Sequence, residues 1–204
     1  MYSEAQVTRR DGVAGNARLT GGAAAVLLIL LAAEGLTIPF IGPLLGPHVF
    51  IGMLLIPPVL LKLASTGYRF VRYYGGAPAY RRKGPPALAL RLLAPGVVLA
   101  TLALFGTGVA LLLAEPDGSG TLKFLHKASF IAWFGLMAIH VLGHLLELPS
   151  LALPDWRRHG GRDAALAGAG LRIALLGTAI VAGLALALAT ISLAGPWLSA
   201  QVGG

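Results

Sequence analysis

Three histidines sit where histidine is expensive. His126 and His140 lie fourteen residues apart on one strongly apolar stretch, and His48 opens another. An ionisable side chain within lipid usually faces the bundle interior and marks a functional position. Fourteen residues of helix rise about 21 Å and close to within about 40° of four full turns, so both rings on one stretch look the same way at two depths. Neutral imidazole is the commonest metal ligand and a frequent axial ligand of haem iron. The sequence contains no cysteine, which removes thiolate ligation, covalent c-type attachment, disulfides and iron–sulfur clusters bound by this chain. A haem would have to be held non-covalently, by histidine.

His48 stands in HVFIG and His126 in LHKASF, each near the start of its apolar stretch. Two imidazoles at one depth on neighbouring helices can take one iron from opposite sides, and bundle cores are where such sites are built. Gly52 falls one turn after His48 on the same face and would leave room for a flat macrocycle near the backbone. The plainer alternative is that both rings only cap helix starts at the membrane interface. His140 and His144 form HVLGH, one turn apart on one face. Zinc would need a third and fourth ligand, and no aspartate or cysteine lies within an apolar stretch. One haem cannot take both rings, because they approach from one side. His140 is placed for a second, inner haem whose opposite ligand is missing, since the first, third and fifth stretches carry no histidine. Lys62, fourteen residues after His48, His159 from the following loop, and an open position are the candidates. A buried histidine that only hydrogen-bonds to a neighbour is the simpler account of His140.

Lys62 and Glu34 are the strong charges deep in apolar sequence. Counted from the outer helix ends they reach comparable depths, which predicts an ion pair between the first two helices. An unpaired charge there would cost several kcal/mol. The pair could fix packing alone, or form a proton or quinone site beside His140 and His144. Arg69 and Arg72, with Tyr68, Tyr73 and Tyr74, gather at the inner end of the second stretch. Such residues ordinarily anchor a helix at the headgroups; a cofactor-binding role toward haem propionates or a quinone headgroup is the alternative. Pro57 and Pro58 should kink the second helix, and Gly106 and Gly108 read as close-packing positions.

The elements that must position these residues follow from composition. Of 204 residues, 56% are apolar and 12% charged, about half the charge of an ordinary soluble domain. The fold class is therefore all-α, an integral membrane helical bundle. Five stretches have spanning length: Gly22–Leu45, His48–Tyr73, Leu92–Ala114, Leu125–Leu146 and Leu171–Leu193. Residues 1–21 form an N-terminal segment, 22–194 a single transmembrane bundle and 195–204 a short tail. Breaker clusters separate the spans: GPLLGP, GGAP with KGPP, EPDGSG and ELPSLALPDW. The first run exceeds signal-peptide length and reads as an uncleaved anchor. Net charge is +8, but 13 of the 16 basic residues fall in three alternate segments. That is the positive-inside pattern, with the N-terminus inside and the tail outside. It argues for membrane lipid as the surroundings and against nucleic acid as a partner.

This histidine layout resembles the small cytochrome b subunits that anchor bacterial hydrogenases and formate dehydrogenases. The resemblance covers roughly residues 20–150 and implies a four-helix haem-binding core with two haems. His48 and His126 would match the outer ligand pair and His140 the inner ligand of helix four. The family's inner partner on helix one has no histidine here, and Glu34 is the nearest polar residue. The Ala, Leu, Gly and Arg bias resembles membrane proteins of high-GC actinobacteria. The resemblance implies a b-type cytochrome in the bacterial cytoplasmic membrane, holding haem b and passing electrons between a quinone such as menaquinone and a redox partner subunit. Such a chain is an electron-transfer subunit rather than a complete enzyme. The rival reading is a haem-free scaffold or small proton-coupled transporter using Glu34, Lys62 and His140.

Overall fold

Prolines decide where the first two helices part. In the computed structural model, which describes residues 4–84, 88–144 and 168–202, α1 spans Glu4–Thr37 and a 3-10 turn at Ile38–Phe40 leads into α2, Ile41–Tyr74. The GPLLGP segment, expected as the connection, forms the first turns of α2. Pro43 sits in the first turn, where a backbone N–H has no intrahelical acceptor anyway. Pro47 removes a later bond, and the helix bends at Leu44 (φ −106°, ψ 16°). Helical dihedrals persist through Pro57 and Pro58, so the bend lies a few turns before the expected place. After α2 come α3 (Pro78–Lys83), α4 (Leu88–Leu113), α5 (Gly120–His144), α6 (Ala169–Thr190), a second 3-10 turn at Ile191–Ala194 and α7 (Gly195–Val202). Helix α1 begins at Glu4, so most of the expected N-terminal segment continues the first helix.

Four apolar segments are long enough to cross a membrane: Gly12–Tyr74, Leu90–Leu113, Gly120–Gly143 and Ala169–Ala200. The first, 63 residues long, folds back on itself as α1 and α2. Side chains such as Ile29, Leu92, Ile131 and Leu142 are more than 70% exposed. An outer surface of that kind is compatible with a multi-pass membrane protein, because lipid exacts no penalty for it.

Cross-helix contacts define two antiparallel hairpins. Between α1 and α2 the pairs are Asn16 with Ser65, Thr20 with Lys62, and Glu34 with His48. Between α4 and α5 they are Gly96 with Leu136, Thr101 with Trp133, and Thr107 with His126. Helix α6 packs along α2 and touches α1. Its Arg172, counted in sequence among the loop cations, is 7% exposed and lies over Gly15 of α1. The hairpins join in a cluster of Met53, Leu112, Ala187 and Ala194, flanked by Val49 and Val109. The α1–α2–α6 unit and the α4–α5 pair otherwise share little contact. The helices are thus arranged as a pair set beside a trio.

The closest backbone approach explains how α2 tolerates its prolines. Pro58 has no N–H for the Leu54 carbonyl four residues earlier. Gly183 of α6 lies directly against that carbonyl oxygen, where a Cβ would collide with it. A glycine there brings its Cα–H to the orphaned acceptor, a weak bond that suits a helix interface. We therefore expect Gly183→Ala to push α6 off α2 and cost about 1–3 kcal/mol, the usual range for overpacking. Gly177→Ala meets nothing within 4 Å and should be neutral. Thermal unfolding of the two variants in detergent checks this; equal melting temperatures would refute the contact.

Candidate functional site

Threonine hydroxyls fix both imidazoles. Thr37, the last residue of α1, donates to the Glu34 carbonyl at 2.6 Å, and its oxygen lies 2.9 Å from His48 Nδ1. Thr107 on α4 donates to the Ala103 carbonyl at 2.7 Å and lies 3.0 Å from His126 Nδ1. A hydroxyl has one proton. With that proton committed to a carbonyl, the oxygen faces the ring as an acceptor, so each histidine donates its Nδ1–H. The same polarity recurs at Thr101, which donates to Val97 O at 2.7 Å and accepts from Trp133 Nε1 at 3.0 Å. Indole N–H can only donate, so there the direction is certain. That polarity at Nδ1 would leave Nε2 of His48 and His126 without a proton, the form that ligates metal.

The two rings lie 6.4 Å apart, centroid to centroid, in an edge arrangement with an interplanar angle of 81°. They come from different hairpins, and the backbones of α2 and α5 hardly approach one another. Each ring sits about two turns from the N-terminal end of its helix, about 9–11 Å along the axis, so neither caps its helix. Gly108, read from sequence as a packing position, leaves room for His126: a Cβ there would lie 3.2 Å from His126 Cε1. Gly52, expected to make room for a macrocycle, faces α1 instead, 3.5 Å from Glu34 Oε1 by the same construction. Thr37 and Thr107 were not singled out in sequence. The signal that finds them is a threonine across the hairpin register from a histidine.

Glu34 and Lys62 do not meet. Glu34 Oε1 is 3.0 Å from His48 Nδ1, while Lys62 Nζ donates to the Thr20 carbonyl at 3.0 Å. The sequence-based depth of Glu34 assumed a first helix running to Leu45. That helix ends at Thr37, which brings Glu34 to the level of His48 and leaves Lys62 about 21 Å further along α2. A polar knot of Asn16, Thr20, Lys62 and Ser65 closes that end of the hairpin. Lys62 is thus committed to α1, and the expected site joining Glu34, Lys62 and His140 is not assembled. Arg69 is twenty-one residues from His48 on the same helix, about 31 Å away, and Arg72, at 6.0 Å from the Tyr80 ring, is further still. Neither reaches a group held by His48 and His126. His140 is half-buried on α5, about 21 Å beyond His126. The His144 side chain and His159 lie outside the described residues.

Among the described residues, no group of three or more His, Cys, Asp or Glu side chains is arranged to hold a bare metal ion. The His48–His126 pair supplies two nitrogen donors, which suits a metal whose remaining ligands come from a macrocycle. No family model, curated protein or solved structure matches this chain.

Two outcomes follow from the geometry. A double-mutant cycle on Glu34→Gln and Lys62→Met should be additive to within about 0.3–0.5 kcal/mol, as for sites this far apart; a larger coupling in detergent melts would mean the charges meet. Gly108→Ala should displace the His126 ring and disturb whatever it binds, whereas Gly52→Ala meets only ordinary contact. Metal or pigment content of the two purified variants separates them, and equal loss would refute the assignment.

Proposed function

We propose that this chain is a membrane-embedded b-type cytochrome, an electron-transfer subunit with one haem b held by His48 and His126. The observation that carries the reading is the pair of facing imidazoles from separate hairpins, 6.4 Å apart, each with Nδ1 against a threonine hydroxyl. Nitrogen–metal bonds of about 2 Å, with a ring centre roughly 1 Å beyond each nitrogen, call for ring centres about 6 Å apart in a bis-imidazole site. The 6.4 Å separation fits that requirement. When bound, the haem iron supplies the one-electron redox couple.

The chain's own residues bind and orient. Thr37 and Thr107 stop each ring rotating, the usual role of a residue behind a metal-bound histidine. Gly108 lets His126 lie close to α4, and the apolar wall from Met53, Val109 and Leu112 excludes water beside the pair. Five crossings with the N-terminus inside follow from the basic segments, and electrons would pass to a quinone or to a redox partner subunit at a membrane face. A second haem at His140 has less support, because Lys62 faces α1.

A pyridine haemochrome assay on the purified chain should give one haem per chain, with sharp α and Soret bands on reduction. His48→Ala and His126→Ala should each abolish the low-spin spectrum. A colourless protein, or single variants with normal spectra, would overturn the reading. For topology, the absence of native cysteine makes single-cysteine labelling clean. Asp117→Cys, between α4 and α5, should react with an impermeant thiol reagent in intact cells, and Arg82→Cys should not. The reverse pattern would invert the orientation.

A further inference from the structure

The two histidines do not have equivalent surroundings. Behind His126 stand neutral groups: Thr107 at 3.0 Å from Nδ1, with Ser129 at 3.3 Å from that threonine, and the Leu104 backbone. Behind His48 stand a hydroxyl and a carboxylate, Thr37 Oγ1 at 2.9 Å and Glu34 Oε1 at 3.0 Å from the same Nδ1. The Thr37 hydroxyl donates to the Glu34 carbonyl at 2.6 Å, and the Thr37 and Glu34 side-chain oxygens face the same ring nitrogen of His48. The second oxygen of Glu34, Oε2, is buried and makes no hydrogen bond among the described residues. Retaining a half-satisfied carboxyl group at this depth is costly. A neutral acceptor alone would orient the ring, as Thr107 does for His126. Orientation therefore does not account for Glu34.

We propose that Glu34 is the positioning residue that makes His48 the electron-rich ligand of the pair. This rests on the bis-histidine reading above. A carboxylate accepting from a ligating imidazole draws the Nδ1 proton toward itself and raises the donor strength of Nε2. A stronger donor favours ferric over ferrous iron, which lowers the midpoint potential; hydrogen bonding behind an axial ligand is one of the levers a protein has on haem. The arrangement depends on the hairpin turn. Ending α1 at Thr37 puts residues 34 and 37 on one face, one turn apart, opposite residue 48. Gly52, one turn after His48, faces the same carboxyl group, with a Cβ there at 3.5 Å from Oε1, so a branched side chain at this position would press on the acid.

The test uses the purified full-length chain with its haem. Glu34→Gln keeps shape and an acceptor oxygen but removes the charge. Haem content and the reduced α band should be retained, while the midpoint potential rises. Loss of about tenfold in ferric preference corresponds to about 59 mV for one electron. Gly52→Val, which crowds the carboxylate away from Nδ1 without altering the acid, should shift the potential the same way. Thr107→Val, behind the other ring, should shift it less. Full haem content with an unchanged potential in both Glu34→Gln and Gly52→Val would overturn the role of Glu34 and leave the cytochrome reading intact. Loss of haem in folded Glu34→Gln would also overturn it, since the amide oxygen can still orient the ring. A wild-type chain that binds no haem would instead overturn the cytochrome reading itself.

Discussion

Much of this molecule depends on one constraint: a hydroxyl inside an apolar helix must spend its proton locally. Thr101 and Thr107 donate to the carbonyl four residues back, and Thr37 to the one three back. Each is left with lone pairs that point across the helix interface. What the neighbouring helix offers must then be a donor, and at Thr37, Thr101 and Thr107 it offers His48, Trp133 and His126. Each bond is worth little by itself, about 0.6 kcal/mol on average between membrane helices. Their value lies in specifying register, because a slip of one residue turns the ring away from the hydroxyl opposite it.

Both hairpins use this device, and each secures its own histidine before the other is considered. Thr37 lies on the helix preceding His48 within one hairpin, and Thr107 on the helix preceding His126 within the other. The ligands are thus oriented by local, antiparallel contacts. Bringing them together is left to the junction of Met53, Leu112, Ala187 and Ala194, which lies beside the rings rather than at the far end.

Composition and hydropathy made the helical, membrane-compatible architecture legible, and the histidine positions made the pairing of His48 with His126 legible too. The helix boundary did not follow. GPLLGP looks like a loop because prolines are counted as breakers, yet Pro43 in a first turn costs a helix nothing. Misplacing that boundary moved Glu34 by two turns and paired it with Lys62 instead of His48. Thr37 and Thr107 were invisible for a different reason. A threonine is unremarkable in isolation, and its meaning appears only once the hairpin register sets it opposite a ring.

The same reasoning separates the two ends of the α1–α2 hairpin by chemistry. At one end Lys62, Asn16, Thr20 and Ser65 satisfy one another with backbone carbonyls and hydroxyls. A cation held that way needs no ligand, and the cluster reads as a structural clasp. At the other end Glu34 keeps a buried oxygen without a partner among the described residues. Polar groups inside an apolar bundle are tolerated when they are satisfied and costly when they are not. An acceptor oxygen without a hydrogen bond thus stands beside His48, at the end of the hairpin nearest the α1–α2 turn, while the polar groups around Lys62 are satisfied.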